Sequence, residues 1–245
     1  MVLNALGQPV GEVVPGWSGS RRPDGSTLQG RYCRVERLSA QAHAQGLHLA
    51  DQHDEDGASW TYLPYGPFPD LASYRRWVLD VAVREDPLFY AVVDVEAGAA
   101  TGRPVGVLSL MRTQPEAGSI EVGHVHLSPL VQRRRGATEA QYLLMRHVFE
   151  DLRYRRYEWK CDALNAPSRS AAERLGFTYE GTFRQASVVR GRNRDTAWYS
   201  ILDSEWARVG DRLRRWLAPG NFDGDGRQRT SLRSEPEHAR GGRGV

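Results

Sequence analysis

Cysteine is nearly absent from this sequence: Cys33 and Cys161 stand far apart and outside any metal-ligand spacing. That excludes a disulfide framework and a cysteine metal centre. Also missing is any apolar run long enough to span a membrane, and the N-terminus lacks the charged-then-apolar pattern of a secretory signal. The expected location is therefore the cytoplasm, with no membrane partner. Neither sign of charge is in excess, since 33 basic against 30 acidic side chains leave a net charge of +3. Despite a pI near 9.0, that argues against a nucleic-acid partner. Lysine is the rarest charged residue, with Lys160 its one example among 33 basic side chains. A bias toward arginine so general carries no functional assignment. What is present, 40% hydrophobic and 26% charged residues over 245 positions, suits one well-buried α/β domain with extensions.

Residues 1–29 are rich in Gly, Pro, Ser and Asp, and read as an irregular arm that could lie across another surface, including a homodimer partner. A first strand is expected at Arg31 to Leu38, then a helix capped by Ser39 and running to about Asp51. The aromatic stretch Trp60 to Phe68, stiffened by Pro64 and Pro67, either walls a pocket or plugs the end of a core. A helix over Asp70 to Arg84 precedes three hairpin-ordered strands, Leu88 to Val95, Pro104 to Met111 and Ser119 to Leu127, with a turn at 98–102 after the first. Further strands are expected at Tyr157 to Asp162, Phe177 to Arg184 and Thr196 to Leu202, the last two joined by a basic turn, Arg190 to Asp195. Asn165 caps a short helix that Gly176 ends, and Trp206 to Leu217 forms the last helix. Beyond Pro219, scarce apolar residues predict no fold, so the expected organisation is an arm over 1–29, a domain over 30–218 and a disordered tail over 219–245.

The chain is organised around Ser119 to Ala140, which reads as strand, basic turn and helix start. Ile120, Val122 and Val125 favour a sheet, and Ser128-Pro129 stops the pairing. After the turn, Ala140, Leu144 and Val148 recur at four-residue steps and mark the buried stripe of a helix. The N–H groups of its first turn, with Arg133, Arg134 and Arg135 beside them, suit phosphate oxygens. A phosphate-bearing cofactor is the natural ligand.

The segment Gln132-Arg-Arg-Arg-Gly-Ala137, followed by Thr138-Glu139-Ala140, resembles the Gln/Arg-x-x-Gly-x-Gly/Ala motif of the GNAT acetyltransferases of the RimJ/RimL type. Arg135 stands where that motif has its first glycine. Shifting the frame by one matches Arg133 and Gly136 and puts Thr138 last. A second segment, Asn165-x-x-Ser168 followed by Glu173-Arg-Leu-Gly-Phe177, resembles a second signature of the same family, and the resemblance runs over roughly residues 30–217. It implies an α+β GNAT fold, a mixed, mostly antiparallel six- to seven-stranded sheet flanked by helices and splayed between strands 4 and 5. It further implies an acetyl-CoA-dependent N-acetyltransferase acting on a primary amine, a protein N-terminus or a small molecule, by direct attack in a ternary complex. By resemblance, His126, Leu127, Ser128, Gln132, Arg133, Arg134, Arg135, Gly136, Ala137 and Thr138, with Asn165 and Ser168, hold the acetyl-CoA. Ser168 aligns with the family residue that protonates the departing thiolate, though a serine in a first helical turn is also a cap.

The general base is open among Glu121, His124 and His126, with Asp162 behind them. Strict alternation puts both histidines on the face opposite Glu121, unless a bulge changes the phase. Each could equally be a paired strand residue. Trp60, Tyr62, Tyr65, Phe68 and Arg184 are the expected acceptor walls. No metal is expected, because His124-x-His126 lacks a third ligand at a recognised spacing. Gly16-Trp-Ser-Gly-Ser20 lacks the strand-to-helix setting of a hydrolase elbow, and Arg133 to Arg135 lack the stacking platforms of a nucleic-acid site. Two alternatives stand: a non-catalytic acyl-CoA sensor, which the arginine at position 135 favours, and an acyltransferase using succinyl-CoA through Arg184, Arg190 or Arg192.

Overall fold

The structure, a computed structural model, describes residues 2–96 and 102–233. The expected turn at 98–102 lies almost wholly outside the described residues. A small hairpin, β1 (Val2–Leu3) with β2 (Pro9–Val10), precedes the main sheet. That sheet then takes β3 (Leu28–Gln29), β4 (Cys33–Arg37), β5 (Leu88–Asp94), β6 (Arg103–Gln114), β7 (Ser119–Leu127), β8 (Arg156–Asp162), β9 (Thr178–Val189) and β10 (Arg192–Leu202). Its spatial order is β3-β4-β5-β6-β7-β8-β10-β9, and β7 with β8 is the parallel pair in an otherwise antiparallel sheet. Among the described residues five α-helices flank it: α1 (Ala40–Asp51), α2 (Leu71–Ala82), α3 (Arg135–Arg146), α4 (Ala166–Leu175) and α5 (Asp203–Trp216).

Local signals account for most boundaries. Ser39 accepts from the N–H of Ala42 to start α1, and Asp70 with Ser73 forms a reciprocal box at α2. Asn165 caps α4, which stops at Gly176 with φ +106°, a conformation that glycine adopts without strain. The sheet divides two cores. One face packs Val92, Leu110, Ile120, Val122, Tyr157 and Trp159 against α3, α4 and α5. The other packs Phe89, Ala91 and Val107 against α1 and α2, with Trp60, Tyr65 and Phe68 filling its end.

Three expectations are corrected. The main sheet has eight strands among the described residues rather than six or seven, because Leu28, assigned to the arm, pairs with Val35 and is buried in the larger core. The last hairpin turns over Arg190 and Gly191 alone, both at positive φ, so Arg192 to Asp195 belong to β10 and not to a loop. Residues 219–233 are not without fold. Phe222 is buried edge-on to Tyr32 and Trp216, Leu232 is buried in the larger core, and Asn221 ties the segment together through Trp216 O and Thr230. Two isolated apolar residues carry no periodicity, which is why this strap reads as a tail; residues 234–245 lie outside the described residues. No helix among the described residues is long and apolar enough to cross a membrane.

Candidate active site

The parallel pairing of β7 and β8 covers only Ser119–Val122 against Arg156–Trp159. Past that point β7 stays with β6 and β8 with β10, and the two strands part, so a cleft opens beside Gly123 to Leu127. A bulge sits at the mouth of the cleft. Two residues of β6, Val107 and Ser109, pair with His126 and Gly123, so His124 and Val125 together oppose one residue, and His124 takes φ +51°. The phase change brings His124 and His126 to the α1/α2 face, where Glu121 also lies beside Gly123 and Met111.

Neither histidine is placed to work as a base of ordinary strength. The His126 ring is 3% exposed, stacks on Trp60 at 3.7 Å, hydrogen-bonds Ser59 Oγ through Nε2 at 2.8 Å and has Nδ1 3.6 Å from Asp51. Burial pushes its pKa down to about 4 and pushes that of Asp51 up to about 7. His124 touches Phe89 and the hydroxyl of Tyr65, and burial, helped by Arg112 and Arg84, lowers its pKa to about 4. Between the ordinary value of 6.5 and about 4, the unfolded chain binds a proton at His124 that the folded protein does not. Stability from this residue is therefore intact above pH 6.5 and falls as the pH drops through that window. Replacing His124 with Phe is expected to flatten this part of the stability profile, measured by urea unfolding at pH 7 and pH 5; an unchanged slope would place the ring in contact with water.

Glu121 is bound on all sides. Arg112 Nη1 donates to both of its oxygens at 2.7 Å, and Lys160 Nζ lies 2.8 Å from Oε2. Lys160 also pairs with Glu158 at 2.7 Å and sits 3.8 Å above the Trp198 ring. Glu158 in turn accepts from Arg156 at 2.6 Å. Burial would raise the Glu158 pKa, but the hydrogen bonds from Arg156 and Lys160 hold it below the ordinary value. Of these groups Arg112, Glu158, Lys160 and Trp198 line a groove of about 500 Å³, to which the β9–β10 hairpin also contributes Phe183 and Arg194. The hairpin tip reaches the aromatic loop, where Arg190 donates to the carbonyl of Gly66.

On the other side of the cleft, the β7–α3 loop is shaped for an anion. Arg134 supplies no side-chain cap to α3, so its first-turn N–H groups are left to another partner, and Arg133 and Arg134 are exposed. Gln132 braces the loop by donating to Leu127 O at 2.7 Å, and the buried Ser128 hydroxyl has no partner among the described residues. Gly136 and Ala137 are buried, and Thr138 accepts from Arg174 at 3.1 Å. Arg135 points elsewhere: it pairs with Glu96 and lies over Tyr32 at 4.3 Å and Phe222 at 5.0 Å. Its side chain is thus corrected from cofactor contact to strut, and the loop backbone stays uncovered by it. Across the cleft, Asn165 accepts from the N–H of Ser168, and Ser168 Oγ accepts from Trp159 Nε1 at 3.0 Å.

Several expected acceptor walls belong to packing. Trp60 is buried, Tyr65 and Phe68 pack against it, and the plug reading of this loop holds for them. Tyr62 is exposed and donates to Leu164 O at 3.2 Å, beside the start of α4, while Arg184 is exposed and does not line the groove. Arg112, Glu158, Lys160, Arg194 and Trp198 were not expected at the site. One signal for them exists in β8, where Glu158 and Lys160 alternate with Tyr157, Trp159 and Cys161 and put two charges on the face opposite the core.

A family model described as an acetyltransferase (GNAT) domain matches residues 35–178. The chain is similar to the crystal structure of a GCN5-related N-acetyltransferase from Brucella melitensis, with 45% identity, a TM-score of 0.85, and coverage of 89% of this chain and 97% of that one. It is also similar to YdaF of Bacillus subtilis (strain 168), provisionally named a ribosomal N-acetyltransferase, with 30% identity over 64% of this chain and 84% of YdaF. Similarity to the ribosomal-protein-serine acetyltransferase of Escherichia coli (strain K12), 30% identical, spans 41% of this chain and 56% of that protein.

Proposed function

The chain belongs to the GNAT acetyltransferases, and from that premise we propose that it moves the acetyl group of acetyl-CoA to a primary amine held in the groove beside Lys160. The observation that carries this reading is the parting of β7 and β8, which leaves a strand edge, an uncapped helix start and Ser168 around one cleft. Acetyl-CoA, when bound, supplies an activated thioester. The first-turn amides of α3, with Arg133 and Arg134, would hold its phosphates, and the unpaired edge of Gly123 to Leu127 would take its arm. As the C–N bond forms and the C–S bond breaks, the amine nitrogen sheds one proton and the departing sulfur takes one up; Ser168, whose oxygen accepts from Trp159 Nε1, would donate to the sulfur and recover its proton from solvent.

No side chain at the cleft is required as a strong base. Arg112 and Lys160 are already paired with Glu121 and Glu158, so neither carboxylate is left to stabilise an ammonium in the groove. An α-amino group, with a pKa of about 8, is already partly neutral at pH 7. That favours a protein N-terminus or another weakly basic amine as acceptor, in keeping with the names of the ribosomal relatives. The sensor reading leaned on Arg135, and the guanidinium stands clear of the loop.

Ser168→Ala is expected to cut turnover by about a hundredfold or more while leaving the dissociation constant of acetyl-CoA within about twofold. Thiol release with an amine panel, beside calorimetry of acetyl-CoA binding, checks it. Unchanged turnover would return Ser168 to a capping role alone.

A further inference from the structure

We propose that the groove selects amine acceptors carrying an anionic group, a carboxylate or a phosphate, and that Arg194 is the residue that binds it. The inference rests on the groove being the acceptor site and concerns what it prefers. Of the cations lining the groove, Arg112 and Lys160 are consumed by Glu121 and Glu158, and Glu158 also holds Arg156. Both carboxylates are thereby neutralised, so the groove offers no free acid to an ammonium. Arg194 is different. It lines the groove half-buried, its Nε is buried without a hydrogen-bond partner, and among the described residues it makes no ion pair. The neighbouring carboxylate of Asp195 is turned to Gln185 N and Asn193.

Trp198 also belongs to the lining, and its buried Nε1 has no hydrogen-bond partner among the described residues. The two residues come from β10 on either side of Thr196, which pairs with Asp162 at the open end of β8 and also lines the groove. A planar fork that lines the groove without a carboxylate among the described residues is a polar demand that an anionic oxygen pair would satisfy. The short Arg190–Gly191 turn is what puts Arg194 in the strand and aims it there.

The test uses matched acceptors that differ in charge: β-alanine and β-alaninamide, O-phosphoethanolamine and ethanolamine, and peptides beginning with aspartate or asparagine. Thiol release and calorimetric binding in the presence of coenzyme A are measured for the wild type, Arg194→Gln and Arg194→Lys. At least one anionic member should be preferred by about tenfold to a hundredfold, with Arg194→Gln abolishing the preference and Arg194→Lys keeping part of it. Equal binding of both members in every pair, or a preference that survives Arg194→Gln, would overturn the proposal. So would a preference for succinyl-CoA over acetyl-CoA that disappears in Arg194→Gln, since the anion would then sit on the donor. Arg194-dependent binding of the anionic member without any thiol release would support the proposal and sink the transfer reading alone.

Discussion

Lys160→Ala is expected to destabilise the protein by about 3 kcal/mol, the lower end of what removing one partner from a buried ion pair costs. The ammonium is the shared partner of Glu121 and Glu158, whose side chains are 3% and 13% exposed. Parallel register places these two carboxylates directly opposite each other, so without Lys160 they repel across the β7–β8 pair. Arg112 and Arg156 keep one contact each, which is why the cost stays at the low end. For a chain of this length the melting temperature should fall by about 6–12 °C. The gap between variant and wild type should narrow in acid. Glu158 titrates below its ordinary value of 4.5, so the stability from its pairing is present above that value and disappears as the pH falls through the folded one. Melts at pH 7 and pH 4 check both statements, and a loss under about 1 kcal/mol at pH 7 would mean that water screens the cluster.

Glu139→Ala should be as damaging for a different reason. The Glu139 carboxylate, 6% exposed, accepts from the backbone N–H groups of Arg31, Tyr32 and Cys33 at 2.9, 2.6 and 2.8 Å. It thereby fastens the first turns of α3 to the start of β4. Gly30 is fixed by the same contact, because a Cβ there would stand 2.5 Å from Glu139 Oε2 and 2.7 Å from Cys33 O. Removing the carboxylate leaves two buried donors without partners, at about 1–3 kcal/mol each, while the N–H of the exposed Arg31 can turn to water. The expected loss is about 3–5 kcal/mol by urea unfolding. Because the start of α3 is also the proposed phosphate site, acetyl-CoA affinity should fall with it. Glu139→Gln, which keeps one acceptor oxygen, should lie between; a neutral Glu139→Ala would show that α3 is held by apolar packing alone.

How much of this was legible in the sequence depends on the range of the interaction. The bounds of β7, Ser119 to Leu127, follow from β-branched residues stopped by Ser128-Pro129, and the caps Ser39, Asn165 and Gly176 act within one helical turn. The strand, turn and helix start over residues 119–146 could be read for the same reason. The bulge at His124 could not, because a non-glycine residue at φ +51° leaves no mark in composition. Without it the histidines fall on the wrong face, and Trp60 cannot be recognised as the partner of His126. The charge cluster depends on Glu121 meeting Glu158 across a parallel pair, a register that only the assembled sheet defines. Phe222 and Leu232 likewise acquire meaning only on the surface that receives them.

A calorimetric titration with acetyl-CoA, run on the wild type and on a variant with Arg133 and Arg134 both changed to Ala, tests most directly whether the parted strands and the start of α3 form the cofactor site. Saturable binding by the wild type is expected, weakened by about tenfold or more in the double variant and further by salt, since charge-assisted contacts to phosphate are lost. No binding by the wild type, or an affinity that the two substitutions leave unchanged, would contradict the account.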